Sequence, residues 1–331
     1  MKAVVLEEIG RASLKDAELP EPKPGEVVIK QCITGVCYRD ILTVEGFFPR
    51  VRVPVILGHE IAGEVWESRS ERFRKGDIVA SLTYIPCGSC DRCRKGEENI
   101  CRNRIAYGED VDGSYAEYVR VDERSLVKVP NGTPMEGAVI AACVTGMIIH
   151  AFEIAGLKEG EKVLITGAGG IGVHAVQIAK AYGAEVIAET SSEWKKDRLF
   201  SLGADHVVCS KEFSSDVRKI AKEGVDLVLE GVGQPTIDQS LKSVRWGGRI
   251  VVVGNVNVKP VELNLGSIIL REVRIFGSIG ATRADLEKAL KLTSEGKIKP
   301  VIHSVLPVEE FQRAHEMMRR RENFGRILLK F

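Results

Sequence analysis

The segment KVLITGAGGIG, residues 162–172, joins a short run rich in β-branched residues directly to a glycine-rich turn. Apolar residues then recur with helical spacing, at Val173, Val176, Ile178 and Ala179. The segment therefore predicts a strand, a tight turn and a helix in immediate succession. In that setting the pattern G-x-G-x-x-G is typical of a turn that binds the pyrophosphate of a dinucleotide.

Each glycine of this pattern has its own physical role. Gly167 allows the tight turn, Gly169 lets the backbone approach a phosphate, and Gly172 lets the helix lie close to its strand. Gly170 and Ile171 complete the turn, and the following helix offers free N–H groups to the phosphates. A glycine-rich turn without a ligand is the alternative, but the flanking strand and helix favour the dinucleotide site.

Strand and helix signals continue to alternate for about a hundred residues, which predicts a doubly wound parallel sheet and an α/β fold. Further strands are predicted at residues 185–189, 206–209, 225–230, 249–253 and 273–277. Ligands bind at the carboxyl ends of such strands. The candidates to line a cofactor groove there are Gly231, Val253, Gly254, Gly277 and Ser278.

The end of the second predicted strand bears on the choice between NAD(H) and NADP(H). An acid there would bind the ribose 2′-hydroxyl, whereas a 2′-phosphate requires hydroxyls and cations. Spacing from the glycine turn places Thr190 at the acid position, followed by Ser191, Ser192 and Lys195. The sequence therefore predicts NADP(H), although a shift of one residue would place Glu189 there and reverse the preference.

Four cysteines form a second local motif, C-x2-C-x2-C-x7-C, at Cys87, Cys90, Cys93 and Cys101. Four thiolates this close can surround one Zn²⁺ tetrahedrally, which predicts a structural zinc. Disulfides or a redox thiol cluster are the alternatives. The chain begins without a recognisable secretory leader and its 331 residues provide an ample core, so we expect reduced thiols and a cytoplasmic location.

Composition argues against several classes of partner. The net charge is +1, with 44% hydrophobic and 28% charged residues, so neither nucleic acid nor an anionic membrane is expected as a partner. Basic residues around the four cysteines are the one hint of nucleic-acid binding. No apolar run approaches the ~18 residues of a membrane span. Amides are few beside many Lys, Arg and Glu, which favours a thermophilic source.

The first half of the chain predicts a β-rich domain with a possible second metal site. Short strands are predicted at residues 2–7, 26–34, 60–66 and 77–82, with Cys32 in the core. Cys37 and His59 are ligand types of a catalytic zinc. Glu60 offers a further ligand or partner, and Asp40 could orient the histidine. Residue types alone leave an alternative to the metal site, in which Cys37 is a core residue and His59 a turn residue.

The order of C-x2-D, G-H-E-x-x-G-x-V, the four-cysteine motif and G-x-G-G-x-G resembles the zinc-containing medium-chain alcohol dehydrogenases over essentially the whole chain. This resemblance implies a GroES-like catalytic domain at residues 1–142, with a structural zinc lobe at 87–101, completed by residues 280–331. It implies a Rossmann domain at 143–279, a small-molecule substrate reduced or oxidised in the cleft between the domains, and a homo-oligomer, dimer or tetramer. Cys37 and His59 would be catalytic zinc ligands.

Three positions depart from the pattern of the family. Arg39 stands where alcohol-oxidising members have a proton-accepting Ser or Thr, and Leu42 stands where a relay histidine is common. The third zinc ligand is expected at position 141, four residues before the nicotinamide-contacting Thr145. That position is Ala141, and Cys143 lies two residues further on.

Arg39 changes the chemistry that the resemblance implies. Its guanidinium stays protonated and cannot act as a base. It could pair with Asp40, bind a phosphate, or stabilise a developing enolate oxygen. The last role suits reduction of an activated double bond, and local segments also resemble an archaeal acryloyl-CoA reductase branch of the superfamily.

Three functions remain open from the sequence. The first is an NADP(H)-dependent dehydrogenase/reductase acting on a carbonyl, alcohol or enone, with Lewis-acid zinc on Cys37, His59 and either Cys143 or Glu60. The second is a zinc-independent enoyl or quinone reductase, in which Arg39, Thr145 and backbone N–H groups polarise the substrate. The third is a non-catalytic NADPH-binding protein.

Overall fold

The computed structural model describes all 331 residues, and the chain divides into two compact units. The first unit contains Met1–Gly146, Gly280–Gly296 and Ile302–Phe331, and the second contains Met147–Ile279 and Lys297–Val301. The catalytic role of the first unit and the cofactor-binding role of the second remain predictions. No helix combines the length and apolar character needed to cross a membrane.

Nineteen strands and eleven α-helices make up the two units. The strands are β1 (Lys2–Glu8), β2 (Arg11–Asp16), β3 (Glu26–Lys30), β4 (Ile33–Gly35), β5 (Val55–Ile56), β6 (Ala62–Ser68), β7 (Ile78–Ser81), β8 (Tyr84–Ile85), β9 (Ile105–Ala106), β10 (Tyr118–Asp122), β11 (Leu126–Lys128), β12 (Lys162–Ile165), β13 (Glu185–Glu189), β14 (His206–Val208), β15 (Val225–Glu230), β16 (Val244–Val252), β17 (Arg274–Gly277), β18 (Ile302–Pro307) and β19 (Arg326–Lys330). The helices are α1 (Tyr38–Val44), α2 (Asp91–Arg94), α3 (Met135–Val139), α4 (Met147–Ala155), α5 (Gly172–Ala181), α6 (Lys196–Ser201), α7 (Phe213–Ile220), α8 (Ile237–Ser243), α9 (Leu265–Leu270), α10 (Arg283–Ser294) and α11 (Phe311–Arg319).

The first unit is built from small sheets rather than one continuous sheet. Its largest sheet has five strands in the order β10-β3-β6-β7-β11, and three-stranded sheets β2-β1-β5 and β18-β19-β4 complete most of it. The single strand predicted at 26–34 is wrong, because the chain changes sheets between β3 and β4. At this change Cys32 is exposed, so its predicted core position is also wrong.

The pairing of β19 with β4 positions the site described below. These strands are antiparallel, with Leu328 opposite Gly35, so the last strand of the chain lies beside the segment that leads into Cys37. Apolar side chains from distant parts of the chain pack together there, including Leu6 and Leu57 from the first sixty residues and Ile327 from the last strand. Burying each such side chain contributes about 1.5–3 kcal/mol, which fixes the C-terminal segment on the first unit.

The second unit is a six-stranded sheet in the order β14-β13-β12-β15-β16-β17, with every pair parallel. The strand order reverses between β12 and β15, which is where doubly wound sheets bind ligands. The predicted α/β fold is confirmed. The fifth strand begins at Val244 rather than at residue 249, because a register irregularity against β15 accommodates Gly247 and Gly248 within the strand.

Candidate active site and metal centres

The four cysteines of the lobe at 87–101 converge as a metal site requires. Sulfur separations are 3.9 Å between Cys87 and Cys93, 3.6 Å between Cys90 and Cys93, and 3.8 Å between Cys90 and Cys101. A tetrahedral zinc with Zn–S bonds of ~2.3 Å places its sulfurs about 3.8 Å apart, whereas a disulfide bond is only ~2.05 Å long. The lobe therefore fits a zinc ion.

The surroundings of these thiols shift their pKa values in opposite directions. Backbone N–H groups of Ser89 and Cys90 donate to Cys87 and lower its pKa to about 6. Burial raises the pKa of Cys93 to about 12, and its cysteine neighbours add to that rise. Four thiolates cannot share so small a volume without a compensating cation, and a divalent ion supplies one.

A second cluster brings together donor atoms of Cys37, His59, Glu60 and Cys143, all within 4.8 Å of one another. The Cys143 sulfur lies 3.8 Å from the Cys37 sulfur and 3.3 Å from His59 Nε2. Tetrahedral zinc predicts roughly 3.8 Å and roughly 3.6 Å for these pairs. Glu60 Oε2 is buried without a hydrogen-bond partner, as expected for an oxygen that faces a cation. The residues present fit zinc.

Cys143 reaches this cluster because Ala141–Gly146 is a π-helical stretch. Hydrogen bonds from residue i to i+5 widen the turn and rotate its side chains relative to an α-helix, and such turns are frequent at functional sites. The third ligand position of the family falls on Ala141, which has no donor atom, whereas the sulfur of Cys143 lies in the cluster, so Cys143 as the third ligand stays a prediction. Thr145 is buried and its hydroxyl donates to the Ala141 carbonyl at 3.4 Å, so its contact with nicotinamide remains a prediction.

The thiols and the imidazole of the cluster are electrostatically coupled. The hydrogen bond from Cys143 lowers the pKa of Cys37 well below its usual value, while the same contact raises the pKa of Cys143. Burial lowers the pKa of His59, but the Asp40 carboxylate and the Cys37 thiolate outweigh it and raise the pKa well above the usual value. A cation bound at the thiolate would replace the proton that His59 otherwise holds.

Asp40 orients His59, as predicted. His59 Nδ1 lies 3.0 Å from Asp40 Oδ1 and donates to it, so Nε2 faces the two sulfurs. The Cys37 backbone N–H donates to Asp40 Oδ2 at 2.9 Å. Cys37 directly precedes α1 and Asp40 lies in its first turn. The start of one short helix therefore fixes both the position of a thiol and the orientation of the imidazole.

Glu60 is held by a residue that the sequence did not indicate. Arg326, at the start of β19, forms an ion pair with Glu60 Oε1, and both side chains are buried. Gly35 makes room for the carboxylate, since a Cβ there would lie 1.8 Å from Glu60 Oε2. Burial raises the pKa of Glu60 to about 7 although Arg326 opposes the rise. The only sequence signal was an arginine beside a short apolar strand.

Arg39 pairs with Glu109, so the predicted ion pair with Asp40 is wrong. Its Nη2 donates to Glu109 Oε2 at 2.9 Å and its Nε donates to Oε1. The guanidinium also lies over the Phe48 ring, 4.3 Å from the ring centre. Asp40 is unavailable because it is buried against His59. Two planar contacts therefore hold the guanidinium and leave Nη1 available to a ligand.

In the second unit, the glycine turn has the expected shape. A Cβ on Gly172 would lie 1.8 Å from the Gly167 carbonyl oxygen, so the helix start and the turn are in close contact. A Cβ built on Gly169 would meet no atom of a non-neighbouring residue within 4 Å, so the side of the turn that this Cβ would face is open to an approaching phosphate. Gly170 and Ile171 lie between them, and α5 begins at Gly172. The N–H groups of Val173 and His174 already donate to the carbonyls of Gly169 and Ile171, so what α5 offers to the turn is mainly the positive end of its dipole.

The residues after β13 differ in exposure. Glu189 is buried, and its Oε2 accepts the Gly167 N–H at 2.9 Å. Burial raises the pKa of Glu189 to about 7. Thr190 is buried and Ser191 is exposed. Lys195 Nζ donates to the Ala168 carbonyl at 3.2 Å, so a cation reaches the glycine turn.

The other predicted groove residues share one edge of the sheet. They follow or end β15, β16 and β17, and they are Gly231, Val253, Gly254, Gly277 and Ser278. Ser278 Oγ is buried without a hydrogen-bond partner. The sequence missed Glu230, whose buried carboxylate holds this edge together by accepting five hydrogen bonds, from Thr166, Val232, Gly233, Thr236 and Ser240.

Comparison with known families accounts for both units. The model of the alcohol dehydrogenase GroES-like domain matches residues 23–131, and the model of the zinc-binding dehydrogenase matches residues 170–295. The chain belongs to the zinc-type alcohol dehydrogenase family. It is therefore an oxidoreductase of the medium-chain dehydrogenase/reductase class that binds NAD(P), which confirms the resemblance and the predicted GroES-like and Rossmann architecture.

Relatives with several activities align over the whole chain. The acryloyl-coenzyme A reductase of Sulfurisphaera tokodaii is 46% identical over 100% of both chains. An alcohol dehydrogenase of Geobacillus stearothermophilus is 34% identical over 100% of this chain and 99% of its own. The crystal structure of AibC has a TM-score of 0.94 and 40% identity over 100% of this chain and 95% of that one.

Proposed function

We propose that this zinc-type dehydrogenase family member is an NADP(H)-dependent reductase of enoyl thioesters. The observation that carries the proposal is Arg39, held by Glu109 and Phe48 where alcohol-oxidising relatives need a hydroxyl. The 46% identity to an acryloyl-coenzyme A reductase supports this substrate class. The net reaction takes the thioester, NADPH and one proton to the saturated thioester and NADP⁺.

Arg39 suits the charge that develops in such a reduction. Hydride added to the β-carbon of an enoyl thioester drives electron density onto the carbonyl oxygen, and a proton from water then completes the α-carbon. A fixed cation near that oxygen lowers the barrier because it needs no reorganisation. With Arg39 and Leu42 at the two relay positions, the chain lacks the side chains that would carry an alcohol proton outward.

The metal cluster supports a Lewis-acid site in the same unit. Zinc held by Cys37, His59 and Cys143, with Glu60 nearby, would polarise a substrate oxygen. Asp40 keeps His59 Nε2 directed at the sulfurs, and Arg326 keeps the Glu60 carboxylate beside them. The four-cysteine lobe would hold a second, purely structural zinc.

The preference for NADP(H) rests on the segment after β13. The Glu189 carboxylate is engaged by the glycine turn, so it is a poor partner for a ribose hydroxyl. Thr190, Ser191 and Ser192 offer hydroxyls, and Lys195 offers a cation, which suits a 2′-phosphate.

Steady-state rates with purified protein test this proposal. With NADPH, acryloyl-CoA should be reduced with a kcat/KM at least tenfold above that for matched short-chain aldehydes and ketones. Arg39→Lys keeps the charge but loses the planar double contact with Glu109, so it should lose activity on acryloyl-CoA. Equal or higher kcat/KM on aldehydes, with Arg39→Lys unaffected, would contradict the enoyl reductase.

The second candidate is a carbonyl or alcohol dehydrogenase, and the complete ligand set of Cys37, His59 and Cys143 favours it. Alcohol oxidation with NADP⁺ at rates comparable to enoyl reduction would support this candidate instead.

We also propose a homo-oligomer in which a second copy covers β17 and α9. β17 is the outer strand of its sheet, and Ile269 and Leu270 on α9 are 72% and 74% exposed. An open strand edge flanked by apolar side chains favours pairing with an identical edge. Ile275→Lys on β17 should therefore lower the molecular mass measured in solution by light scattering.

A further inference from the structure

Two side chains outside the ligand set, Tyr115 and His315, continue the hydrogen bonds of Asp40 away from the metal cluster. The Tyr115 hydroxyl donates to Asp40 Oδ2 at 3.0 Å, and the same hydroxyl lies 3.3 Å from His315 Nε2. Tyr115 is fully buried and His315 is 4% exposed. Hydrogen bonds thus link four side chains in a row, and all four belong to the first unit: His59, Asp40, Tyr115 and His315.

Along these four hydrogen-bonded side chains, the hydrogen bonds can be donated in only one direction. Tyr115 has a single hydroxyl proton, which it gives to Asp40, so its oxygen must accept the N–H of His315. Burial beside Asp40 raises the pKa of Tyr115 well above its usual value, which keeps the hydroxyl protonated. Burial lowers the pKa of His315, which keeps its ring neutral. Every donated proton therefore points toward Asp40.

We propose that Tyr115 and His315 are positioning residues for the metal site of Cys37, His59 and Cys143. They hold Oδ2 of Asp40, which fixes the plane of the carboxylate, and this leaves Oδ1 to receive the Nδ1 proton of His59. With that proton on Nδ1, the lone pair of Nε2 faces the two cysteine sulfurs. The inference rests on the proposed metal site.

A glycine and a helix contact make room for these hydrogen-bonded side chains. Gly58 immediately precedes His59 at φ +87°, and a Cβ on it would lie 2.3 Å from the Tyr115 ring. The glycine of the G-H-E motif thus lets the tyrosine ring lie against the backbone of the ligand histidine. His315 lies on α11, which packs against α1, the helix that carries Asp40. The Phe311 ring supports His315 edge-on at 5.8 Å between centres.

The far end of this hydrogen-bond chain, at the buried His315, borders a surface cleft. His315 lines this cleft of about 320 Å³ together with residues of β2 and α11, among them Arg11, Phe311 and Arg319. A small molecule the size of imidazole can enter a cleft of this volume. Removal of the His315 ring would extend the cleft toward Tyr115, so that free imidazole could replace the missing N–H donor.

Zinc release to a chromogenic chelator tests the proposal without measuring activity. Wild-type protein should release two zincs per chain in two phases, one from each site. Tyr115→Phe and His315→Leu should release the zinc of the Cys37 site faster, on the order of tenfold, with the phase of the four-cysteine lobe unchanged. Tyr118→Phe is the matched control, because it removes a tyrosine hydroxyl that takes no part in these hydrogen bonds, and it should behave as wild type.

Two rescues separate positioning from simple packing. His315→Gln retains a side-chain N–H donor and should release zinc more slowly than His315→Leu. Free imidazole should slow zinc release from His315→Ala. It should not change the release rate of Tyr115→Phe, because that variant lacks the hydroxyl oxygen that accepts the N–H.

The outcomes distinguish the inference from its premise. Two zincs per chain with a wild-type release rate in Tyr115→Phe, or equal rates in His315→Gln and His315→Leu, would overturn the positioning role alone. A single zinc in the wild-type protein, removed only by changes in the four-cysteine lobe, would overturn the metal site and the inference with it.

Discussion

The sulfur of Cys143 lies 3.8 Å from that of Cys37, although 106 positions separate the two residues along the chain. One cysteine precedes a short α-helix and the other lies on a π-helical turn. Together with His59 and Glu60 they form a cluster of four donor atoms within 4.8 Å of one another. Catalytic zinc sites use three protein ligands and keep a further position open, so which three of these donors bind a metal is a prediction to test.

Replacement of Cys143 tests whether it is the third ligand. Cys143→Ser should reduce zinc from two to one per chain, since an un-ionised hydroxyl is a much poorer ligand than a thiolate. Elemental analysis of protein purified without added metal measures this. Cys32→Ser, at an exposed cysteine, is the control and should retain both zincs. Unchanged zinc in Cys143→Ser would remove Cys143 from the ligand set.

The buried pair of Arg326 and Glu60 predicts a pH-dependent loss of stability. In metal-free protein, Arg326→Met removes the cation beside Glu60, so the carboxyl stays protonated at about pH 8, one unit above its pKa in the wild type, and the variant should lose about 1.4 kcal/mol of unfolding free energy there. Because the pKa of Glu60 is already raised to about 7 and must rise further without its cation, this cost should vanish as pH falls.

Denaturant unfolding of the Arg326 variant at about pH 5 and about pH 8 gives the comparison. The double variant Glu60→Gln/Arg326→Met removes the charge as well and should recover much of the loss at high pH. A penalty of the same size at both pH values would show that lost packing, rather than the buried charge, destabilises the variant.

Glu189 should destabilise the folded protein when it ionises. Its pKa is raised from 4.5 to about 7, so its contribution to stability is intact below pH 4.5 and is lost as pH rises through 7. Glu189→Gln retains an acceptor for the Gly167 N–H and should be more stable than wild type by about 3 kcal/mol near pH 8.

Unfolding free energies measured from about pH 5 to about pH 8 check this difference. Glu193→Gln, at an exposed position four residues on, is the control and should follow the wild-type profile. A constant difference between Glu189→Gln and wild type across the range would contradict the predicted ionisation.

An acid at position 190 should reverse the coenzyme preference. Thr190→Asp would offer a carboxylate to the ribose 2′-hydroxyl and repel a 2′-phosphate, so the NADPH/NADH ratio of kcat/KM should fall at least tenfold. Lys222→Gln, a change of charge elsewhere on the second unit, is the control. A ratio unaffected by Thr190→Asp would place the adenosine ribose at another residue, with Glu189 the first to examine.

The glycine turn and the four-cysteine lobe could be predicted because their parts are local. KVLITGAGGIG contains its strand, its turn and the start of its helix in one segment, and the lobe contains all four ligands in fifteen residues. Spacing along the chain is then nearly equivalent to spacing in the structure. The order of these motifs also carried the family resemblance, which the comparisons confirm.

The partners of the second metal cluster could not be predicted in this way. Arg326 meets Glu60 because β19 pairs with β4, and Arg39 meets Glu109 rather than the neighbouring Asp40 because that carboxylate is buried against His59. These pairs depend on strand pairing and burial between distant segments.

Local residue chemistry was thus sufficient to indicate the α/β fold, the dinucleotide turn and the zinc lobe. The sequence named Cys143 as one candidate, but only the tertiary structure brought its sulfur to Cys37 and His59, assigned counter-charges to Arg39 and Glu60, and joined His59 through Asp40 and Tyr115 to His315. The physical reason is that a buried charge must be compensated by whichever group the fold brings within a few ångströms, and sequence separation places almost no limit on which group that is.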